Sequence, residues 1–218
     1  MKTKKIESAS NSIYKVILSL TTSKGVREEN LRLISGEKII PEILPLIKKD
    51  AAYWVFHSEE HNLFDKLHTS LIQLPKELFK TLDVLGTNAP LLVAPCETLE
   101  KWDSSSEPKD IEVLCALGDP NNLGALMRSA EAFGFKNLVL LKECSHPFLP
   151  KVTKSSSGSN FRLNLKSGPS IKELHDVRKI YALDGQGLPL TDVKIPQGAR
   201  LLLGEEGQGI PVTLKAQK

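Results

Sequence analysis

The sequence predicts an α/β protein whose C-terminal part contains a parallel sheet, and three observations favour this. Short apolar segments alternate with helical patterns after residue 110. The apolar segments are continuous, as in strands that are buried on both faces. Polar or glycine-containing loops follow Leu117, Leu183 and Leu203, and ligands bind beyond the carboxyl ends of such strands. The predicted strands are Ile111–Leu117, Leu138–Leu141, Ile180–Leu183 and Leu201–Leu203, and the predicted helices are Asn122–Phe133 and Ser170–Arg178.

The composition is that of an ordinary globular protein. Of 218 residues, 40% are hydrophobic and 25% are charged, which argues against disorder. The net charge of +3 allows a nucleic-acid partner without requiring one. No apolar run approaches the roughly 18 residues that a membrane span needs, and the polar N-terminus lacks a signal-peptide core. We therefore expect a cytoplasmic protein with no membrane partner. The three widely spaced cysteines are expected to be buried free thiols.

The chain is expected to have two domains. Residues 101–109 are polar and serine-rich and contain a proline, which is typical of a linker. This predicts an N-terminal domain at residues 1–100 and a C-terminal domain at residues 110–218. Apolar spacing predicts a mixed α/β structure for the N-terminal domain. Its predicted elements are a helix at Ile13–Leu20, a helical pattern through residues 39–47, and strands at Leu31–Ile34, Ala52–Phe56 and Leu91–Ala94.

A first motif covers residues 119–134, where a strand leads through a turn into a helix. An asparagine at position 121 or 122 is a good N-cap, and Gly134 is a plausible terminator. The stripe expected to face the sheet consists of Leu123, Leu126 or Met127, Ala130 and Phe133.

Arg128 lies off this stripe, four residues after Gly124 and therefore on the same helix face. Helical side chains lean toward the N-terminus, so the guanidinium is expected over Gly124 and near Asn122. A helix N-terminus favours anions, and an RNA phosphate or ribose hydroxyl would suit the site. The alternative is an exposed surface arginine beside a helix cap.

The second motif, residues 201–211, is a buried strand that opens into a loop with three glycines and two adjacent carboxylates. Gly204, Gly207 and Gly209 permit a close approach of the backbone to a ligand. A carboxylate in this loop could orient Arg128 or bind a hydroxyl. The loop has neither the dinucleotide-binding nor the P-loop spacing.

A basic segment lies between the two motifs. Residues 144–172 carry five cations and no acid, and residues 151–160 add hydroxyls and a glycine. Such a segment suits phosphate contacts, although a solvated loop is an equally good explanation. The predicted RNA contacts are Lys151, Lys154, Ser156 and Arg162.

Together these segments resemble the motifs of the SpoU/TrmH RNA 2′-O-ribose methyltransferases of the SPOUT superfamily. The first is Asp119-Pro120-x-Asn122-x-Gly124-x-x-x-Arg128, which continues to Gly134, and the second is Leu203-Gly204-x-Glu206-x-x-Gly209. Between them, Lys154-Ser155-Ser156-Ser157-Gly158 is similar to the basic, serine-containing segment of the family. Residues 33–38 resemble the start of its ribosomal-protein-like substrate-binding domain.

The resemblance implies a trefoil-knotted catalytic domain, a homodimer and S-adenosyl-L-methionine as methyl donor. Arg128 would activate the ribose 2′-hydroxyl, with Asn122 and Glu206 as positioning partners. Because a guanidinium keeps its proton in proteins, we expect electrostatic stabilisation rather than a general base. The substrate would be structured RNA, with rRNA favoured over tRNA. The donor would lie against the loops after two strands, at Ala182, Leu183, Gly204, Gly209 and Ile210.

One departure from the family pattern affects the donor site. Family members carry a third motif with a serine-leucine-asparagine run, and this sequence ends at Lys218 without it. The expectation is a C-terminally truncated catalytic domain. A non-enzymatic RNA-binding protein that has lost donor binding is the alternative. A natural reading frame that continues into a serine-asparagine segment would favour the enzyme.

A metal site is not expected. His57 and His61 match the spacing of the inverted zinc-peptidase pattern, but they lie in a short polar segment after a strand. That pattern requires a long helix and a distant third ligand, so zinc hydrolysis is disfavoured.

Overall fold

The structure is a computed structural model that describes residues 3–47, 53–57, 70–204, 207, 209–211 and 214. Ala52, His61 and Glu206, which the sequence analysis names, lie outside these residues. Within the described part no helix is long and apolar enough to cross a membrane. The described part also contains no group of histidine, cysteine and acidic residues that could hold a metal ion.

The N-terminal half forms a five-stranded mixed sheet with the order β1-β4-β3-β5-β2. Strands β1, β4 and β3 are parallel, and β5 is antiparallel to both of its neighbours. The strands are β1 (Thr3–Lys5), β2 (Leu31–Ser35), β3 (Tyr53–Phe56), β4 (Ser70–Gln73) and β5 (Leu91–Pro95). The expected mixed α/β character and its three expected strands are thus confirmed, and β1 and β4 were not predicted.

In the described residues of this half, four short helices accompany the sheet. They are α1 (Ser12–Ser19), α2 (Ser23–Glu29), α3 (Ile39–Ile43), which a 3-10 turn at Leu44–Leu46 extends, and α4 (Lys76–Leu82). The side chain of Asn11 caps α1 by accepting from the backbone N–H groups of Ile13 and Tyr14. Tyr14 and Ile17 of α1 are buried in the same core as Phe79 of α4.

The C-terminal half forms a six-stranded sheet in which every pair is parallel, with the order β10-β11-β7-β8-β9-β6. This confirms the predicted parallel sheet. The elements are β6 (Glu100–Lys101), β7 (Glu112–Cys115), α5 (Pro120–Ala132), β8 (Asn137–Leu140), α6 (Pro150–Ser155), β9 (Asn164–Ser167), β10 (Ile180–Leu183) and β11 (Arg200–Leu203).

The strand order reverses at β7. The chain runs outward from β7 to β8 and β9 on one side, and it returns as β10 and β11 on the other. In open parallel sheets such a switch point is where ligands bind, beyond the carboxyl ends of the strands. The paired residues Cys115, Leu203 and Leu183 bring the ends of β7, β11 and β10 to one level.

The predicted helix at Ser170–Arg178 is wrong. Only Ile171–Glu173 forms a 3-10 turn, which begins with a capping box between Ser170 and Glu173. The segment's apolar residues recur every third position, which matches the three residues per turn of a 3-10 helix better than an α-helix.

The segment between the two sheets is partly built into the second one. Lys101 pairs with Ser167, and Trp102 is buried, with its indole N–H donating to Glu112. The residues after Trp102, which are mostly exposed and belong to no strand, match the expected linker. As a division of the chain, residues 1–100, 101–109 and 110–218 stay a prediction.

Arg32 of β2 joins the two halves. Its guanidinium carbon lies 4.7 Å from the ring centroid of Phe148 and 4.4 Å from that of Phe161. Burial lowers the pKa of Arg32, and its Nε has no hydrogen-bond partner in the described part of the chain. The two aromatic faces attract this buried cation, as does the nearby charge of Glu97.

Candidate active site

The first motif forms the turn and helix that follow β7. The N-cap of α5 is Asp119, whose carboxylate accepts from the backbone N–H groups of Asn121 at 2.8 Å and Asn122 at 3.0 Å. The predicted asparagine cap is therefore wrong. Pro120 occupies the first helical position, where its missing N–H costs nothing, so the helix begins before either asparagine.

Helix α5 packs on the sheet through most of the predicted stripe. Leu123, Met127 and Ala130 are buried, but Phe133 is 80% exposed. Its inclusion in the stripe was wrong because Phe133 is the C-cap residue, where the helix ends and its side-chain positions leave the stripe. Gly134 terminates the helix as predicted, with a φ of +80° and the backbone hydrogen bonds of a Schellman motif.

Gly124 has a different role from the predicted one. A Cβ at this position would lie 1.8 Å from the Ser155 hydroxyl oxygen and 2.7 Å from the Val152 carbonyl oxygen. The glycine therefore lets α6 pack directly on α5, and it is not covered by the Arg128 guanidinium as predicted. The segment expected to be a basic loop contains this second helix.

Arg128 lines a cavity of about 420 Å³ beside the first turns of α5. The predicted contact residues Lys151 and Lys154 of α6 line the same cavity, so the structure brings three predicted site cations together. No acid is among the described residues that line it. The remaining lining residues are Val84, Leu85, Asn121 and Ser155, none of which was a predicted site residue.

Asn122 is an exposed residue of the first turn of α5, next to Asn121. Asn121, rather than Asn122, lines the cavity with Arg128. The predicted partner Glu206 lies outside the described residues. Their roles as positioning partners of Arg128 stay predictions.

The other two predicted RNA contacts are engaged within the fold. Ser156 is fully buried, and its hydroxyl is 3.1 Å from Asn160 Oδ1 and 3.2 Å from the Thr153 carbonyl oxygen. Its assignment as an RNA contact is therefore wrong. Arg162 forms a bidentate pair with Glu131 at 2.5 and 2.8 Å, and this pairing lowers the pKa of Glu131. The Arg162 charge is thus already compensated.

The predicted donor-binding residues fall into two groups. Ala182 and Leu183 line an open cavity of about 1050 Å³ at β10 and the chain that follows it. Gly204 contacts the turn that returns after β11, because a Cβ there would lie 2.6 Å from the Gly209 carbonyl carbon and 2.7 Å from the Ile210 side chain. Gly204, Gly209 and Ile210 thus lie together, but they do not line the cavity.

The cavity of Arg128 and the cavity of Ala182 share no lining residue. Within one chain, the predicted catalytic arginine and the predicted methyl-donor residues at β10 therefore line two separate cavities. Most residues after Leu203, where the knot was expected, lie outside the described part.

A further cavity of about 540 Å³ lies between the two halves and is lined by His146 and Arg27, among others. His146 is 8% exposed. Burial and the nearby charge of Arg27 lower its pKa to about 4. The buried imidazole is therefore neutral at pH 7.

We expect the free energy of unfolding to fall by about 1–2 kcal/mol between pH 7 and pH 5 because of His146. The unfolded chain binds a proton with an ordinary pKa of about 6.5, whereas the folded chain does so only near pH 4. The stabilisation that comes from neutral His146 is complete above pH 6.5 and is lost as the pH falls toward 4. Denaturant melts of His146→Gln should show a weaker pH dependence, and those of the exposed His175→Gln should not. An unchanged dependence in His146→Gln would refute the assignment.

Comparisons with known proteins agree with this architecture. A Ribosomal RNA small subunit methyltransferase G 2 of Syntrophobacter fumaroxidans is 37% identical over 95% of this chain, which spans only 42% of that protein's length. The 23S rRNA (guanosine(2553)-2'-O)-methyltransferase RlmP of Bacillus subtilis is 29% identical over 97% of this chain and 86% of its own length.

The solved structure of the SpoU methyltransferase AviRb from Streptomyces viridochromogenes, in complex with AdoMet, has a TM-score of 0.78 at 18% identity. The match covers 94% of this chain and 85% of that one, which confirms the predicted fold. The model of the SpoU rRNA Methylase family matches residues 111–218. Through these residues the chain belongs to the SpoU rRNA Methylase family, which is a family of RNA methyltransferases.

Proposed function

We propose that this chain provides the catalytic domain of an enzyme that transfers a methyl group from S-adenosyl-L-methionine to a ribose 2′-hydroxyl of RNA, with rRNA as substrate. One observation carries the proposal. Arg128, which the first motif places on α5, shares a cavity with Lys151 and Lys154 of α6, and none of the described residues that line it is acidic. A cavity of this charge suits a sugar-phosphate segment.

The three cations of this cavity are available to a ligand. Unlike Arg162, which Glu131 neutralises, they form no ion pair with any residue in the described part of the chain. Phosphate oxygens of RNA are the natural partners of such charges, and their binding would depend on salt. Lys151 and Lys154 would hold the backbone on either side of the target nucleotide.

Arg128 would act on the 2′-oxygen itself. Because a guanidinium does not give up its proton at neutral pH, it would stabilise the negative charge that develops on the oxygen as the hydroxyl loses its proton. The oxygen would lose this charge as it forms its bond to the methyl group. The hydroxyl proton would leave to solvent or to a nearby carboxylate, for which Glu206 is proposed. Asn122 is proposed as a second group that orients the ribose.

The residues at β10 fit the proposed methyl donor. The cavity has apolar walls from Leu183, Leu188 and Val193, and its volume of about 1050 Å³ is slightly above the usual range of ligand sites, about 300–1,000 Å³. Such walls would hold an adenine ring, while backbone groups at Ala182 and Leu183 would meet its polar edge. When bound, S-adenosyl-L-methionine supplies an electrophilic methyl group on a sulfonium ion. Gly204, Gly209 and Ile210 are proposed to shape the neighbouring turn.

The relatives support rRNA as the substrate class, because two of them are named for rRNA methylation. A homodimer in the cytoplasm is proposed for the whole protein. Leu183, Leu188 and Leu190 offer exposed apolar surface for an assembly, at 48%, 76% and 70% exposure.

Calorimetric titration with S-adenosylhomocysteine tests the donor site. We expect saturable binding that Ala182→Phe, which would add a bulky ring to the wall of the cavity, removes. The matched control is Ala125→Phe, at an exposed position of α5. If the chain binds structured RNA but not S-adenosylhomocysteine, it is a non-enzymatic RNA-binding protein and the proposal is wrong.

A further inference from the structure

The N-terminal half contributes to the cavity that contains Arg128. Val84 and Leu85, which follow α4, line it together with the charged residues of α5 and α6. Val84 is 38% exposed, although its side chain has no polar atom that could form a hydrogen bond with water. The proposed chemistry uses neither residue, so this apolar wall of the cavity has no assigned role.

The wall belongs to a turn that is held rigidly. The buried carboxylate of Asp83 accepts from the backbone N–H of Asn88 at 2.7 Å and from the Thr87 hydroxyl at 3.2 Å. The Gly86 N–H donates to the Asp83 carbonyl oxygen at 2.9 Å, and Gly86 has a φ of +64°. Thr87 also contacts Ser35 of β2. Val84 and Leu85 are therefore fixed in place before any ligand arrives.

The cavity lining thus consists of two chemically different groups of side chains. Arg128, Lys151 and Lys154 suit the sugar and phosphates of a nucleotide, whereas Val84 and Leu85 offer only aliphatic surface. Aliphatic side chains cannot form hydrogen bonds with the edge of a base, but they can cover its face. In a duplex both faces of a base are already stacked, so only an unpaired base can use this wall.

We propose that Val84 and Leu85 form a base wall that packs against an unpaired base next to the ribose held by Arg128. This inference rests on the proposed function, because it takes Arg128 as the ribose site. The base wall selects single-stranded nucleotides over paired ones and is tolerant of base identity. Val84 and Leu85 are thus specificity-determining residues, and Asp83 is a positioning residue for them.

Binding of a short single-stranded RNA of mixed sequence, and of the same RNA as a duplex, tests the base wall. We expect the double variant Val84→Ser/Leu85→Ser to bind the single strand about tenfold more weakly, which corresponds to the loss of roughly two buried methylene-sized contacts. Duplex binding, which depends on the lysines, should change less than about twofold. The matched control is Leu18→Ser, at a position of α1 that is 37% exposed. Equal losses for both RNAs, or none, would overturn the proposal.

A second measurement does not depend on the stability of that variant. Trp54 and Trp102 are buried, so the indole introduced by Val84→Trp would be exposed, unlike those of the two natural tryptophans. We expect single-stranded RNA to quench its fluorescence through base stacking, and duplex RNA not to do so. A Leu18→Trp variant should respond to neither. Absence of quenching in Val84→Trp despite RNA binding would refute the base wall.

These outcomes are separable from failure of the proposed function. If the RNA discrimination and the quenching are as expected but the protein transfers no methyl group to rRNA, the base wall stands and the catalytic proposal fails. The opposite case is also distinguishable. If the protein methylates rRNA, and the double variant still prefers single-stranded to duplex RNA and still methylates rRNA, the base wall is wrong and the proposed function stands.

Discussion

Replacement of Arg128 by alanine is expected to lower kcat for methyl transfer by about 100- to 1,000-fold, the usual effect of removing a group that stabilises a developing oxyanion. Lys151 and Lys154 line the same cavity and would still hold the phosphates. RNA affinity should therefore fall only a few-fold. Radiolabelled methyl transfer to rRNA under saturating conditions measures the first effect, and a filter-binding titration measures the second.

Two further variants separate the role of Arg128 from its charge. Arg128→Lys keeps the positive charge but not the planar pair of donors, so activity should be recovered only partly. Arg162→Ala is the control, because Arg162 is a partly exposed arginine of the same half that is paired with Glu131. It should leave kcat within about twofold of the unmodified enzyme's value. An Arg128→Ala enzyme that turned over at the normal rate would exclude the assigned catalytic role.

Arg200→Ala is expected to destabilise the protein by about 3–5 kcal/mol, because it leaves the buried carboxylate of Glu112 without a compensating positive charge. Arg200 is 3% exposed, and its Nε donates to Glu112 at 3.1 Å. Its other nitrogens donate to the carbonyl oxygens of Arg178 at 3.1 Å and Ser106 at 2.5 Å. The guanidinium carbon lies 5.1 Å from the ring of Trp102. The arginine thereby ties the segment between the sheets to β7 and β11.

The double variant Arg200→Met/Glu112→Leu is the informative control for this cluster. It removes both charges and fills similar volume, so it should recover much of the lost stability. Urea melts at pH 7 give the comparison. If Arg200→Ala alone cost less than about 1 kcal/mol, the buried pair would not organise this part of the sheet.

The strands and the long helix of the C-terminal half could be predicted because their signals are local. Continuous apolar runs such as Leu138–Leu141 indicate buried parallel strands, and Gly134 ends α5 by a backbone conformation that glycine favours. The cap could not be chosen reliably, because an aspartate and two asparagines stand within four positions. Asp119 has the advantage that Pro120 suits the first helical position.

Helix α6 was missed although part of its signal is present. Pro150 stands at its first position, but its six residues are too few for an amphipathic pattern to be recognised. The helix is stabilised by packing on Gly124 rather than by its own propensity. The absence of a side chain at Gly124 was expected to make room for Arg128, whereas α6 occupies that space.

The apolar part of the candidate site could not be predicted at all. Val84 and Leu85 reach Arg128 only because the two halves dock, and docking depends on contacts distant in sequence. Arg32, whose guanidinium lies against the rings of both Phe148 and Phe161, is one such contact. No local pattern marks an arginine of a strand as the partner of aromatic rings more than a hundred positions away.

The most direct test of the account is the chemical identity of the product. The protein is incubated with unmodified rRNA and S-adenosyl-L-methionine labelled in the methyl group, and the RNA is digested to nucleosides and analysed by mass spectrometry. The account predicts label on the ribose, as a 2′-O-methylnucleoside, and its loss in Arg128→Ala. Label on a base, or no label while the protein binds both RNA and the donor, would contradict it.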